Sequence, residues 1–546
     1  MEEWVVTLYN KADLDDFYND MEAPGGNSYI PDRAVPVRER RAISRNTHYM
    51  LTEEEANQVR EDPRVWDVEL RKLIEGLTRP MGYKITNGDF AKNYDSTVTD
   101  LNWGLLRHSE ETNRLNWGDD STPSAISDLT ITASGKNVDV VIFDGHIDPA
   151  HPEFAVNDDG TGGSRVVQEN WFSHGGSGTY VYTPYVDGVS EATDDNDHGC
   201  HVAGTVAGNT MGWARDANIY NINPYSTNPN GSMSSTMFDY VRAWHNQKPI
   251  NPDTGRRNPT VTNHSYGSVI TAGQGDFGDP YRLVYRGTDF NPGRTLTQAE
   301  LQARGCYCPN ANLEMDIPYY FTARNADIQD AIDDGIIVVV AAGNDSWKTV
   351  NSTDQDFNNT IYLPYLGVNY VWYLHRGTGS GAGYEPTINV GAMDHTVDER
   401  KATFSECGSV VDIYAAGVAI NSSLHTSYFY GGADPRNGSY YRGKYQGTSM
   451  ASPQVCGVLA VLAESWPNMS QTQAQQWLTD NAENDAMFDS EADDPMDRTS
   501  LQGAPNRILR WFNQRVELGN SFPKKNFAGR PTSGAVYPRQ RIRKRG

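Results

Sequence analysis

Residues 138–143 read VDVVIF and residues 336–342 read IIVVVAA. Each is a short run, apolar but for Asp139 near the start of the first, and rich in β-branched side chains. A strand with one wet face alternates apolar and polar residues. A strand that does not alternate is buried on both faces, as in a parallel sheet covered by helices. A helical stretch at 327–334 precedes the second run. Between residues 99 and 518 such runs recur with helical segments, and most end in polar or glycine-containing turns. This rhythm predicts an α/β domain with a doubly wound, mostly parallel sheet flanked by helices, whose sites lie at the carboxyl ends of the strands. Two stretches near 269–320 and 345–383, rich in Gly, Asn, Asp and Tyr, interrupt the rhythm and are predicted to be surface insertions.

Upstream, residues 1–98 have a different texture. Strand signals at 3–9 (EWVVTLY), 47–51 and 65–70 alternate with helical ones at 11–21 and in EEEANQVRED, which Thr52-x-x-Glu55 opens as a capping box. A small separate α+β unit is expected there. Downstream, residues 519–546 are basic, rich in Pro and Gly, and free of acidic residues. They read as an extended tail, either merely solvated or docking an acidic partner.

The 546-residue chain carries a formal net charge of −24. A surface that negative disfavours nucleic acid and anionic membranes, so neither is expected as a partner. No apolar stretch is long enough to span a bilayer. The start, MEEWVVTLYNKADLDDF, has neither the basic opening nor the apolar run of a secretory signal. The five cysteines, Cys200, Cys306, Cys308, Cys407 and Cys456, are too few and too scattered for a disulfide framework. A cytoplasmic or virion-associated location is the expectation that follows.

Four polar residues stand at the ends of predicted strands or helices. Asp144 follows VDVVIF directly, where a carboxylate can orient an imidazole or simply serve a loop. His198 lies in DHGCHVAGTVAG, at the start of a helix whose small residues allow tight packing. His198-x-x-His201 has neither the spacing nor the glutamate of the helical zinc motif. Ser449, in GTSMASP, opens the apolar helix PQVCGVLAVLAE, as an N-cap or as a nucleophile assisted by the helix dipole. Asn344 closes VVVAAGN, as a turn residue or as an amide donor to an oxyanion. Amide hydrolysis requires a nucleophile, a base, a group that orients the base, and donors for the developing oxyanion.

The segments VIFDGHIDPAHPEF, DHGCHVAGTVAG, VVVAAGN and GTSMASPQVCGVLA, in the order Asp, His, Asn, Ser, resemble the signatures of subtilisin-like serine proteases (subtilases), most closely the proteinase K-like pattern. The resemblance implies a serine endopeptidase acting through an acyl-enzyme on Ser449, with Asp144 and His198 completing the triad and Asn344 as oxyanion donor. Polypeptide substrates would lie between Ser265-Tyr266-Gly267 and Gly231-Ser232, with Ala341, Ala342 and Gly343 forming the other wall of the S1 pocket. Asn102-Trp103-Gly104-Leu105-Leu106-Arg107 looks like a mature N-terminus. Residues 1–98 would then be an inhibitory propeptide, a partner within the same chain, removed by self-processing near 98–102, with its last segment paired to residues 230–232 and 265–267. Pro386, Ile388 and Asp412 match a calcium site, a structural one, and no catalytic cofactor is expected. Two departures stand out. Gly145-His146 follow the aspartate where Ser or Thr and then Gly are usual, so one hydrogen bond to Asp144 is expected to be missing. Cys200 replaces a threonine. A different class of reading keeps the fold without catalysis, as a structural or binding component, for example of a virus particle.

Overall fold

The computed structural model describes residues 1–23, 33–41, 43–71, 78–80, 83–84, 103–109, 133–157, 159–174, 196–224, 227–228, 231–232, 236–274, 277–378, 380–396, 399–425 and 431–511. The basic tail at 519–546, most of the stretch between residues 71 and 103, Asn102 and Asn230 lie outside them.

Both apolar runs form central strands of the main sheet. Its order, from one edge, is Glu483–Asn484, Arg507–Ile508, Ile413–Ala416, Ile388–Met393, Ile337–Ala341, Thr260–His264, Asp139–Phe143, Asn218–Ile222 and Val166–Val167. Every neighbouring pair is parallel except the first. The pairings His264↔Phe143, Phe143↔Ile222 and His264↔Val340 bring the carboxyl ends of the central strands level. Helix Thr448–Ser465, whose residues from Thr448 to Ala463 are all buried, lies on one face of this sheet with helix Asn196–Ala207. Helices Met237–Gln247 and Thr322–Asp333 cover the other.

The N-terminal unit is an antiparallel sheet ordered Val37–Arg40, Asn46–Leu51, Glu2–Leu8, Val65–Leu70, with helices Leu14–Glu22 and Glu53–Arg60. The capping box is formed: the Thr52 side chain accepts from the Glu55 N–H while the Glu55 carboxylate accepts from the Thr52 N–H. Strand Val37–Arg40 is exposed or half-buried along its length, so it carries none of the apolar alternation by which the other strands could be found.

The two stretches expected to be insertions build one further sheet together. Arg282–Tyr285 pairs with Thr288–Phe290 on one side and with Thr360–Tyr365 on the other, and the latter pairs with Val368–Tyr373. The apolar core of this sheet, including Leu283, Ile361, Leu363 and Trp372, is continuous with that of the N-terminal unit. A segment that looked like surface decoration is therefore part of a second core.

The N-terminal unit is fastened to the α/β body by ion pairs and hydrogen bonds. Arg41, fully buried, reaches Asp239 at 2.7 Å and Asp327 at 2.9 Å. Ser44 Oγ donates to Asp327 Oδ1 at 2.6 Å. Glu69 accepts from the backbone N–H groups of Thr322 (3.0 Å) and Ala323 (2.6 Å), and Asp67 accepts from the Thr322 hydroxyl at 2.7 Å. Two acidic side chains of one strand thus meet the first turn of helix Thr322–Asp333, whose N–H groups lack partners within the helix.

Candidate active site

Asp144 and Ser265 immediately follow adjacent parallel strands, so the register of the sheet places them side by side. Asp144 Oδ1 accepts from His198 Nδ1–H at 2.7 Å, and both side chains are fully buried. Gly145 N–H donates to the same oxygen at 2.8 Å. His198 is held by the tight seating of its helix. A Cβ on Gly199 would run into the Gly145 carbonyl, and a Cβ on Gly204 into the hydroxyls of Ser422 and Ser423. Cys200 packs at the same contact, its sulfur accepting from the Asp148 N–H at 3.2 Å.

His201 is not brought to a ligand position beside His198. Its Nε2–H donates to the carbonyls of Ile420 (2.7 Å) and Gly443 (3.1 Å), and its ring stacks on Tyr445. Burial pushes its pKa down to about 3, so it is a neutral packing residue.

Ser449 sits in the first turn of helix Thr448–Ser465, after Gly447, whose φ of 151° lies where a side chain is disfavoured. Its Oγ donates to the Ser265 carbonyl oxygen at 3.1 Å, and the Ser265 hydroxyl donates back to the Ser449 carbonyl at 3.1 Å. Asn263, Ser265 and Ser452 extend this into a buried network: Asn263 Nδ2 donates to Ser265 Oγ at 2.8 Å, and Ser452 Oγ donates to Asn263 Oδ1 at 2.9 Å. Such a network, with its members satisfied, fixes the strand end against the helix start.

Asn344 stands across from this helix. Its Oδ1 accepts from both the N–H and the hydroxyl of Thr448, each at 2.9 Å. The carbonyl end of the amide is thus committed to the helix, and Nδ2 is the end that can donate to an anion. The Thr448 hydroxyl also accepts from Gly343 N–H at 3.2 Å. Gly343 has φ of 131°, and a Cβ there would run into the carboxyl group of Glu406. That carboxyl is fully buried, accepts from Thr349 Oγ1 at 2.7 Å, and has its pKa raised well above the usual range by burial and then by the charge of Asp345. This carboxyl lies directly behind Gly343, the last residue of Ala341-Ala342-Gly343. Thr448 lies within the segment GTSMASP, but its pairing with Asn344, like that of Ser452 with Asn263 and of Glu406 with Gly343, joins residues distant along the chain and carries no signal in the sequence.

Strand Tyr266–Ala272 pairs antiparallel with Thr78–Pro80 of the N-terminal region, through Tyr266, Gly267 and Ser268. The Tyr266 side chain points inward, its hydroxyl 3.0 Å from His264 Nδ1. Gly231 and Ser232 form a hairpin with Thr227–Asn228 instead, and no pairing with Thr78–Pro80 is seen among the described residues. Asn230, the first residue of the expected pairing segment, lies outside the described residues.

Of the calcium trio, Asp412 Oδ2 accepts from Asn389 N–H at 2.8 Å and the Pro386 carbonyl accepts from Gln471 Nε2 at 3.0 Å. Ile388 opens strand Ile388–Met393. Burial raises Asp412 to about 7. Two of these oxygens already hold a donor, but each oxygen has two lone pairs, and a hard cation accepts such a mixed carbonyl and carboxylate set. The other acidic grouping found, Glu3, Glu39 and His48 in the N-terminal unit, has the Arg71 guanidinium against Glu3 and 3.5 Å from Glu39, which supplies the positive charge itself.

No helix among the described residues is long and apolar enough to cross a membrane. All five cysteines are buried free thiols. Residues 135–507 match the family described as the subtilase family. Subtilisin E of Bacillus subtilis (strain 168) is 26% identical over 373 residues, covering 66% of this chain and 66% of that protein, so the match spans just under two thirds of its length. Alkaline serine exoprotease A of Vibrio alginolyticus is 23% identical over 492 residues, 89% of this chain and 62% of that protein. Extracellular serine proteinase of Thermus sp. (strain Rt41A) is 25% identical over 439 residues, 80% of this chain and 70% of that protein.

Proposed function

The chain belongs to the subtilase family, and from that premise we propose that it is a serine endopeptidase made with its own inhibitor at the N-terminus. The observation that carries the reading is the short Asp144–His198 hydrogen bond, 2.7 Å between two fully buried groups, beside the neighbouring strand end at Ser265 that accepts from Ser449 Oγ. Ser449 Oγ turns from the Ser265 carbonyl to His198 Nε2, gives up its proton there, and adds to the substrate carbonyl carbon. Asp144 holds the imidazole in orientation and stabilises its cation. Asn344 Nδ2 and the Ser449 N–H receive the oxyanion. The C–N bond breaks as His198 returns its proton to the leaving amine, and water then hydrolyses the acyl-enzyme by the same route. In subtilisin itself, loss of the asparagine donor costs about 10²–10³-fold in turnover.

Polypeptide substrates would add a strand to Ser265-Tyr266-Gly267, using main-chain hydrogen bonds for affinity, with Ala341, Ala342 and Gly343 opposite. Residues 1–98 would be the inhibitor: the pairing of Thr78–Pro80 with that same edge supports it. Pro386, Ile388 and Asp412 would hold a structural calcium ion. Residence in the cytoplasm or a virus particle draws no support from the relatives, one of which is named as extracellular. The reading of a catalytically silent particle component is not favoured, since no member of the triad is replaced. Casein hydrolysis by the wild type and by Ser449→Ala tests the proposal: the variant should lose activity, and an equal rate in both would end it.

A further inference from the structure

The buried Glu406 carboxyl takes no part in the proton transfers, yet it packs on the residue next to the oxyanion donor. Residues 403–407 run alongside 343–349. Ser346 N–H donates to the Phe404 carbonyl at 3.0 Å, Cys407 N–H to the Trp347 carbonyl at 3.1 Å and Thr349 N–H to the Cys407 carbonyl at 2.7 Å. Within this contact one peptide unit holds another. Buried Lys401 Nζ donates to the Ser405 carbonyl at 2.9 Å, and Glu406 N–H, on the same peptide unit, donates to the Gly343 carbonyl at 3.0 Å. That carbonyl belongs to the peptide unit joining Gly343 to Asn344. The unit before it is held from the other side, where Gly343 N–H donates to the Thr448 hydroxyl. The Glu406 side chain fills the space over the Gly343 Cα, so that a Cβ there would run into Oε1 and Cδ. Its Oε2 accepts from Thr349 Oγ1, while Oε1 is buried without a hydrogen-bond partner among the described residues.

We propose that Glu406 is a positioning residue for Asn344: its neutral carboxyl holds the Gly343–Asn344 peptide unit in place, and its ionisation at high pH releases that hold. The inference rests on the endopeptidase reading and deepens it. Gly343, at φ of 131°, has no side chain to restrain it, so its orientation comes from what packs on it. A neutral carboxyl can leave one oxygen without a donor at modest cost. A buried carboxylate cannot, because an ion taken out of water needs several donors. Here it would have the Thr349 hydroxyl alone. A charge on Oε1 would therefore drive the side chain off Gly343 or draw water in behind it. It would also set a negative charge behind the residue whose neighbour receives the oxyanion, where little water screens the repulsion. Three other titratable groups face Glu406. Asp345 favours its neutral form and Lys401 opposes it, but burial outweighs both and holds the acid well above the usual carboxylate range. The third, the Cys407 thiol, is itself pushed up to about 11 by burial.

The test is the kcat–pH profile of the wild type, Glu406→Gln and Glu406→Ala on a chromogenic peptide, from about pH 6 to about pH 10 and well below each protein's Tm. A fluorophosphonate counts reactive Ser449 in each. Glutamine keeps the size and stays neutral. Glu406→Gln should therefore remain within about 3-fold of wild type at neutral pH and hold its kcat to higher pH, where the wild type falls. Glu406→Ala leaves Gly343 unsupported and should lose about 10-fold in kcat with KM little changed, short of the 10²–10³-fold lost with the donor itself. In the Asn344→Ala background the same substitution should cost less than about 2-fold. Equal pH profiles for wild type and Glu406→Gln overturn the proposal and leave the endopeptidase reading standing. So does a loss in Glu406→Ala that is the same with and without Asn344. Should Glu406→Ala not fold, the profiles of wild type and Glu406→Gln decide alone. A wild type that neither hydrolyses the peptide nor takes the label overturns both readings.

Discussion

Thr448 joins the nucleophile's helix to the oxyanion donor, and replacing it by valine separates two of its roles. Its hydroxyl donates to Asn344 Oδ1 at 2.9 Å and accepts from Gly343 N–H at 3.2 Å, while its own N–H holds the same Oδ1 at 2.9 Å. Thr448→Val keeps the branched shape and the backbone donor and deletes only the hydroxyl. A neutral hydrogen bond contributes about 0.5–1.5 kcal/mol net, and a buried N–H left without an acceptor costs about 1–3 kcal/mol. The fold should therefore lose roughly 2–4 kcal/mol, most of it at Gly343. Only the part that positions Asn344 reaches the transition state. At about 1.4 kcal/mol per tenfold, kcat/KM should fall about 2- to 10-fold, far less than on losing Asn344 altogether. Steady-state kinetics on a chromogenic peptide, well below each variant's Tm, should show the loss in kcat with KM little changed. In the Asn344→Ala background the same substitution has no amide to position and should slow the enzyme by less than about 2-fold, the coupling a double-mutant cycle detects. If Thr448→Val costs the same factor with and without Asn344, it acts on the reaction directly and the positioning argument fails.

Glu69 should make docking of the N-terminal unit pH-dependent. Burial, and then the charge of Asp67, raise its pKa from 4.5 to about 8 in the docked state, against the opposing pull of Arg324 and two backbone N–H groups. A raised acid favours the docked state at low pH and loses that contribution as pH rises through about 8. The Tm of the uncleavable Ser449→Ala chain should fall from pH 5 to pH 8.5, and Glu69→Gln should flatten the profile; an unchanged slope would show that Glu69 is not the titrating group. A calcium chelator should lower the Tm of the wild type, since an ion at a hundredfold excess over its dissociation constant stabilises by about 2.7 kcal/mol. Asp412→Ala should abolish that response, and an equal chelator effect in the variant would remove Asp412 from the site.

The sequence alone determined whatever depends on a few consecutive residues. The runs at 138–143 and 336–342 read as doubly buried strands because, Asp139 apart, both of their faces are apolar and must be covered. Asp144, Asn344 and Ser449 could be picked out because each ends or opens an element, and His198 because its helix is marked by small residues. The capping box at Thr52 and Glu55 is equally local. What only the tertiary structure decided depends on partners far apart in the chain. Arg282–Tyr285 and Thr360–Tyr365 join two separate insertions into one sheet, and nothing in either stretch names the other. Thr448 finds Asn344, and Glu406 finds Gly343, across long separations because two strand ends and a helix start converge. The hairpin that takes up Gly231 and Ser232, and the register that sets Pro80 against Tyr266, are choices among competing backbone partners. Backbone N–H and C=O groups are the same in every residue, so which edge a strand joins is settled by the packing around it and not by the letters within it.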